Sequence, residues 1–87
     1  MKTQTDRHLI VGIHVGNRVR QAAAIQKVLT ACGGCIRTRL GLHEAFCGKA
    51  SSSGIILLEV IDDEKQCSGM LDRLNAISGV EAKRMVF

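Results

Sequence analysis

Four cysteines give the sequence its most reactive side chains, and two of them, Cys32 and Cys35, have the C-x-x-C spacing of redox and metal motifs. Cys32 falls on the apolar face of a predicted helix and Cys35 at the start of a predicted strand, so the two thiols need not point together. The first residues are polar and lead into no secretory signal, and the chain has apolar residues for a core of its own. A disulfide scaffold is therefore not expected, and we interpret the cysteines as reduced thiols.

A second set of side chains has the chemistry of a soft metal site. His14, His43 and Cys47 offer two imidazoles and one thiol, which are ligands that zinc and nickel accept. His43 lies at the end of a predicted strand and Cys47 in the connection that follows, so one chain fixes no ligand geometry. One interpretation, which we keep as an alternative, is a metal site whose ligands come together across a subunit boundary. The other is that these residues are two partly exposed histidines and a loop thiol that bind no metal.

The turn formed by Gly16, Asn17 and Arg18 is the best candidate for binding a small molecule. Amide groups at the start of a helix, together with an arginine, suit a carboxylate or a phosphate. The other reading of the same residues is a plain tight turn with a solvated arginine.

The composition limits the kinds of protein that this chain can be. Its 87 residues, of which 46% are hydrophobic and 23% charged, predict one globular domain over residues 1–87, with 1–7 as a flexible tail. No apolar stretch approaches the roughly 20 residues that a membrane helix needs, so we expect a cytoplasmic protein without membrane contact. A domain of this size leaves little room for a buried catalytic cleft, which favours binding or assembly over enzyme activity.

The charge of the chain is uneven, with eight Lys and Arg against two acidic residues before position 51, and four against six after it. The basic residues are scattered and do not form a run, which favours a solvated surface. Trp and Tyr are absent, and the two phenylalanines, Phe46 and Phe87, lie in a connection and at the chain end. A base-stacking platform is therefore missing, and nucleic-acid binding is not expected.

Hydrophobic periodicity predicts four strands and two helices in a ferredoxin-like βαββαβ order, an α+β fold with a four-stranded antiparallel sheet and two helices on one face. Asn17 is the predicted N-cap of the first helix, Gly33 and Gly34 its left-handed stop, and Asp62 and Asp63 the cap of the second. The predicted elements are a strand over His8–Val15, a helix over Arg18–Cys32, a strand over Cys35–Leu42, a mobile connection over Glu44–Gly54, a strand over Ile55–Ile61, a helix that ends at Ser78-Gly79, and a strand over Val80–Phe87.

Because both helices cover one face of this sheet, the opposite face, which we call the open face, is left uncovered. Alternation along the strands places many apolar side chains there, which predicts a subunit interface. We expect Glu59 to neutralise Arg37 or Arg39 within it. The interface residues expected on this basis are Ile10, His14, Arg39, Ile55, Leu57, Glu59, Met85 and Phe87.

Two segments of the sequence, 36–41 (IRTRLG) and 71–83 (LDRLNAISGVEAK), resemble the second strand and the closing helix and strand of ACT-like regulators of iron-only hydrogenase systems. The resemblance extends from about Leu9 to Val86 and implies the ferredoxin-like fold. That family is similar in fold to the ligand-sensing domain of nickel-responsive repressors, although this chain lacks the His-x-His pair of those proteins. In ACT domains, effectors such as amino acids bind near the first strand–helix turn, which corresponds here to Gly16, Asn17 and Arg18.

Taken together, these observations predict a small oligomeric ACT-like module, dimeric or tetrameric, that regulates an iron-only hydrogenase system by sensing a small ligand or by mediating regulatory contacts. We do not expect an enzyme, and no cofactor is required for folding. One alternative is a metal-responsive protein that binds nickel or zinc through His14, His43 and Cys47. The other is an assembly module without a ligand.

Overall fold

The structure, a computed structural model, describes residues 7–46 and 49–87, and the side chains of 42–52 lie outside the description. The elements are β1 (Leu9–Val15), α1 (Arg18–Ala31), a 3-10 turn (Gly33–Cys35), β2 (Ile36–Phe46), β3 (Lys49–Val60), α2 (Glu64–Asn75) and β4 (Val80–Val86). The strands form an antiparallel sheet in the order β2-β3-β1-β4. This arrangement confirms the predicted ferredoxin-like fold.

The hydrophobic core lies between one face of the sheet and both helices. Every second residue of β1 is buried, beginning with Leu9, because successive side chains of a strand point to opposite faces. The same cluster contains Ile25 and Leu29 from α1 and Met70 and Leu74 from α2. The helices therefore cover the same face, as predicted. Among the described residues, neither helix is long and apolar enough to cross a membrane.

Both helices begin at a side-chain cap, as the sequence predicts. The Asn17 side chain accepts a hydrogen bond from the Arg20 amide, and the Asp63 side chain accepts one from the Gln66 amide. Each cap satisfies an amide that would otherwise have no partner within its helix. The cap of Asn17 fixes the point at which Arg18 enters α1.

The end of α1 differs from the prediction. Gly33 and Gly34 form no left-handed stop, and Gly79 is the one glycine with a positive φ, 81°, in the described part of the chain. The helix instead tightens into the 3-10 turn, in which the Cys35 amide donates to the Cys32 carbonyl at 3.0 Å. Short 3-10 turns of this kind satisfy terminal carbonyl groups without a glycine in the left-handed region.

The connection between β2 and β3 is much shorter than expected. The two strands continue through Phe46 and from Lys49, so most of the predicted mobile connection over Glu44–Gly54 is paired backbone. The prediction relied on the small polar side chains of this segment. Sheet hydrogen bonds, however, use backbone groups that every non-proline residue has. Cys47 lies outside the described residues.

The register of β2 shifts near its start. Ile36 pairs with Val60 and Thr38 with Glu59, so two steps along β2 match one step along β3. Such a bulge inserts one residue and reverses which side chains face which side of the sheet. Arg39 pairs with the buried Leu58 and thus lies on the helix-covered face.

The predicted place of Arg39 on the open face is therefore wrong, and Leu40 takes that place opposite Leu57. The expected pairing of Glu59 with Arg37 or Arg39 is not found either. The His8 Nδ1 atom lies 2.8 Å from Glu59 Oε2 instead. The bulge explains this difference, because it turns Arg39 away from the face that Glu59 occupies.

The open face otherwise has the predicted apolar character. Strand pairing places Ile10 beside Met85 and Glu59, and His14 beside Ile55 and Glu81. Ile10, Ile55 and Leu57 remain half-buried, whereas Leu40, Met85 and Phe87 are 53%, 55% and 70% exposed. Large apolar side chains are thus left accessible at both edges of this side of the sheet.

Candidate ligand site

A cavity of about 280 Å³ lies between the first half of α1 and the neighbouring strands β2 and β3. It is on the helix-covered side of the sheet, because Val15 and Ile56, which belong to that face, line it together with residues of α1. The described residues that line it are Val15, Arg18, Ala22, Ile25, Gln26, Arg39, Gly41, Gly54, Ile55 and Ile56.

The α1 side of this cavity is a single stripe of the helix. Arg18, Ala22, Ile25 and Gln26 are separated by four, seven and eight residues from the first, which places them on one helical face. The N-cap at Asn17 sets the phase of this stripe. The polar side chains of Arg18 and Gln26 therefore lie at the two ends of this stripe, and the apolar Ala22 and Ile25 lie between them.

Arg39 provides the opposing polar group from β2. Its Nη1 atom donates to Gln26 Oε1 at 3.1 Å, which joins β2 to α1 within the lining of the cavity. The bulge at the start of β2 is what directs Arg39 to this side. Sequence reasoning missed Arg39 and Gln26 as site residues, because simple alternation puts Arg39 on the other face. The eight-residue spacing between Arg18 and Gln26 places both on one helical face, and this spacing could have identified Gln26 from the sequence.

Gly41 leaves space in the cavity wall. A Cβ atom placed on Gly41 would meet no atom within 4 Å, and the backbone there has no positive φ. Neither conformation nor crowding within the chain therefore requires glycine at this position. The open space in front of Gly41 belongs to the cavity.

The turn expected to bind a ligand contributes only its arginine to this cavity. The Gly16 amide donates to the Gly79 carbonyl at 2.9 Å, and the Asn17 amide donates to Gln21 Oε1 at 2.9 Å. Since the Asn17 side chain caps Arg20, these groups are engaged within the chain. Arg18 alone of the three lines the cavity, and binding at Gly16 and Asn17 stays a prediction.

The alternative metal set is not brought together by the described residues. His14 is exposed on the open face, the side chain of His43 is not described, and Cys47 lies outside the described part of the chain. Among the described residues, no group of three His, Cys, Asp or Glu side chains could hold a metal ion. Metal binding through His14, His43 and Cys47 stays a prediction.

Three of the cysteines, Cys32, Cys35 and Cys67, are free thiols near the ends of the helices. The Cys35 thiol donates to the Cys32 carbonyl at 3.0 Å, so the C-x-x-C turn folds one thiol back over the helix end. Burial, followed by the nearby Cys32, raises the pKa of Cys35 above its usual 9.0. A thiol held in its protonated form is a weak nucleophile, which fits a packing role.

Comparison with solved structures places this architecture among known proteins. An uncharacterized protein from Thermotoga maritima superposes with a TM-score of 0.78 at 23% identity, covering 93% of this chain and 96% of its own. A nitrogen regulatory PII-like protein from Thiomonas intermedia K12, bound to ADP, AMP and bicarbonate, gives 0.56 at 11%, covering 93% and 94%. A dimeric ferredoxin-like protein from an uncultured marine organism gives 0.52 at 10%, covering 93% and 92%.

The fold is ferredoxin-like. At these identities the likeness establishes the architecture alone, because proteins that share a fold can differ in function. No protein-family model and no curated protein matches the chain. The function must therefore be argued from the two surfaces of this molecule, the cavity and the open face.

Proposed function

We propose that this chain is a small oligomeric regulatory module that senses a small ligand and is not an enzyme. The proposal depends on one structural observation. Ile56 and Leu57 are neighbours on β3, and Ile56 lines the cavity while Leu57 lies on the open face. A ligand that packs against Ile56 therefore acts on the strand that also forms the assembly surface.

Self-association is supported by the open face. Leu40 lies opposite Leu57, and Ile10 lies opposite Met85, so each of the four strands places a large apolar side chain on this face. Exposed apolar patches of this kind favour burial against a partner. In a closed symmetric dimer, the same face would meet its own copy. The dimeric ferredoxin-like neighbour is consistent with such an assembly.

A sensing role is supported by the chemistry of the cavity. The polar side chains among its described lining residues are Arg18, Arg39 and Gln26, which bind and orient a ligand but are poor proton-transfer groups at neutral pH. The PII-like neighbour is a nitrogen regulatory protein, and its structure holds ADP, AMP and bicarbonate. A regulatory protein with a similar architecture is consistent with a sensing role.

The regulated system is proposed from the sequence. The segments 36–41 and 71–83 resemble regulators of iron-only hydrogenase systems, and the first lies in β2, which lines the cavity. The first contains Arg39 and Gly41 of the cavity. We therefore propose that the module acts within such a system.

The proposal is tested by measuring mass and melting temperature together. Light scattering of the reduced protein should give at least twice the mass of the 9.4 kDa chain. A thermal-shift panel of amino acids, oxo acids, phosphates and nucleotides should contain a compound that raises the melting temperature, because such a ligand binds only the native state. A monomeric mass would contradict assembly. A flat panel would contradict sensing, and a shift with nickel, zinc or cobalt alone would favour the metal-responsive alternative.

A further inference from the structure

We infer that the cavity binds a small organic anion that carries no ammonium group, such as a short-chain 2-oxo acid or a small phosphate ester. The inference rests on the proposed sensing function and names its ligand class. It excludes free amino acids, the effectors that the resemblance to ACT domains suggests. Three properties of the described cavity lead to it: the charge of its walls, the position of its polar groups and its size.

Most of the residues that line the cavity come from a segment without acidic residues, and the other three, Gly54, Ile55 and Ile56 of β3, are uncharged. Residues 7–43 contain six Lys and Arg and no Asp or Glu, and this segment supplies β1, α1 and the first part of β2. A recess that has apolar walls and is surrounded by charges of one sign attracts ligands of the opposite sign. The potential inside the cavity therefore favours an anion.

The acidic side chains with described partners lie elsewhere. Glu59 contacts His8 on the open face, and Asp62 lies 3.6 Å from Arg7. Glu64 forms ion pairs with Arg7 and Arg84 near the start of α2. None of these three carboxylates belongs to the described lining of the cavity.

The arrangement of the lining residues matches a ligand with one charged end. Arg18 and Arg39 supply guanidinium groups, which bind carboxylates and phosphates through paired N–H donors. Between them, Val15, Ala22 and Ile56 provide an apolar surface for a short carbon chain. Arg39 is already positioned by its bond to Gln26, which reduces the entropy lost when it binds an anion.

An α-ammonium group would find no suitable partner among the described side chains of the cavity. The side-chain acceptor among them is Gln26 Oε1, which already accepts from Arg39. Transfer of an ammonium group from water to a site without an acidic partner among its described side chains costs hydration free energy. An amino acid should therefore bind more weakly than the oxo acid with the same carbon skeleton.

The size of the cavity restricts the ligand to a few carbons. Its volume of about 280 Å³ lies just below the usual range for small-molecule sites, about 300–1,000 Å³. The space in front of Gly41 forms part of that volume. A side chain introduced at Gly41 should therefore compete with the ligand directly.

Isothermal titration of the 87-residue chain with matched pairs of compounds tests this inference. One pair is valine and 3-methyl-2-oxobutanoate, and a second is alanine and pyruvate; inorganic phosphate and glycerol 3-phosphate form a further arm. We expect at least one oxo acid or phosphate ester to bind at least tenfold more tightly than the amino acids. The two arms show whether the preferred head group is a carboxylate or a phosphate. Tighter binding of the amino acids would overturn the inference and leave the proposed sensing function standing.

Variants locate the binding. Arg39→Gln should weaken the anion at least tenfold, whereas Arg37→Gln, which removes the same charge two residues away and outside the cavity lining, should change it less than twofold. Gly41→Leu should abolish binding while the circular dichroism spectrum stays unchanged. Equal loss in Arg39→Gln and Arg37→Gln would mean that only net charge matters, which overturns the assignment of the cavity even if Gly41→Leu fails to fold.

Discussion

Gly16 and Gly79 are joined by a hydrogen bond of 2.9 Å from the Gly16 amide to the Gly79 carbonyl. The bond ties the turn before α1 to the turn before β4, and β1 and β4 pair up to Val15 and Val80 beside it. Gln21 closes the same junction, since its side chain contacts the Ser78 carbonyl and the Asn17 amide. The junction therefore sets where α1 begins relative to the sheet, and with it the position of the cavity wall.

Gly79→Ala should destabilise the protein strongly. Gly79 has a φ of 81°, and a Cβ atom there would collide with the Gln21 side-chain amide. The left-handed conformation alone costs a non-glycine residue about 1–2 kcal/mol, and the Gln21 side chain must move away, which breaks its hydrogen bond to the Ser78 carbonyl. Urea unfolding measures the loss. The control is Gly69→Ala in α2, where a Cβ atom meets nothing within 4 Å and alanine should raise stability by about 0.5–1 kcal/mol. Equal stability of Gly79→Ala and wild type would contradict the geometry.

Asn17→Ala should lower the free energy of unfolding by about 1 kcal/mol, the usual cost of losing an N-cap. The Asn17 side chain accepts from the Arg20 amide at 3.1 Å, and the first turn of α1 contains no acidic residue that could compensate. Urea denaturation monitored by circular dichroism gives the value. Asn17→Asp retains an acceptor at the same place and should be at least as stable as wild type. A similar loss in both variants would show that the cap is not the cause.

Much of the fold could be predicted from the sequence because it depends on local periodicity. Alternation in β1 and helical spacing in α2 gave the elements, and the capping residues Asn17 and Asp63 are visible without a structure. The βαββαβ order then leaves few ways to arrange the sheet. The apolar open face followed from that arrangement.

The cavity could not be predicted in the same way, because it depends on a register shift. One additional residue between Ile36 and Thr38 moves Arg39 from the open face to the helix side, where it meets Gln26. A bulge leaves no periodic signal, since the residues around it still alternate. The error at Glu44–Gly54 has another cause: serine-rich composition describes side chains, whereas the hairpin is held by backbone pairing.

The stability of the protein should decrease at alkaline pH through Cys35. Its pKa is raised above 9.0 in the folded state by burial, so the folded protein retains a proton that the unfolded chain releases. Stability from this group is fully present below about pH 9.0 and is lost as the pH rises toward the folded-state pKa. Guanidinium unfolding between pH 8 and 10.5, under reducing conditions, should show the decline. In Cys35→Ala the decline should be smaller, and an unchanged slope would exclude Cys35 as its source.

Leu57→Asp should dissociate the oligomer. Leu57 lies in the middle of the open face, opposite Leu40 and Gly12, and an unpaired carboxylate there would be buried on assembly at a cost of several kcal/mol. Light scattering should report a monomeric mass with the fold retained. The control is Val19→Asp, which introduces the same charge. Val19 is 90% exposed on α1, away from the open face. An unchanged mass in Leu57→Asp would show that the protein does not assemble through this face.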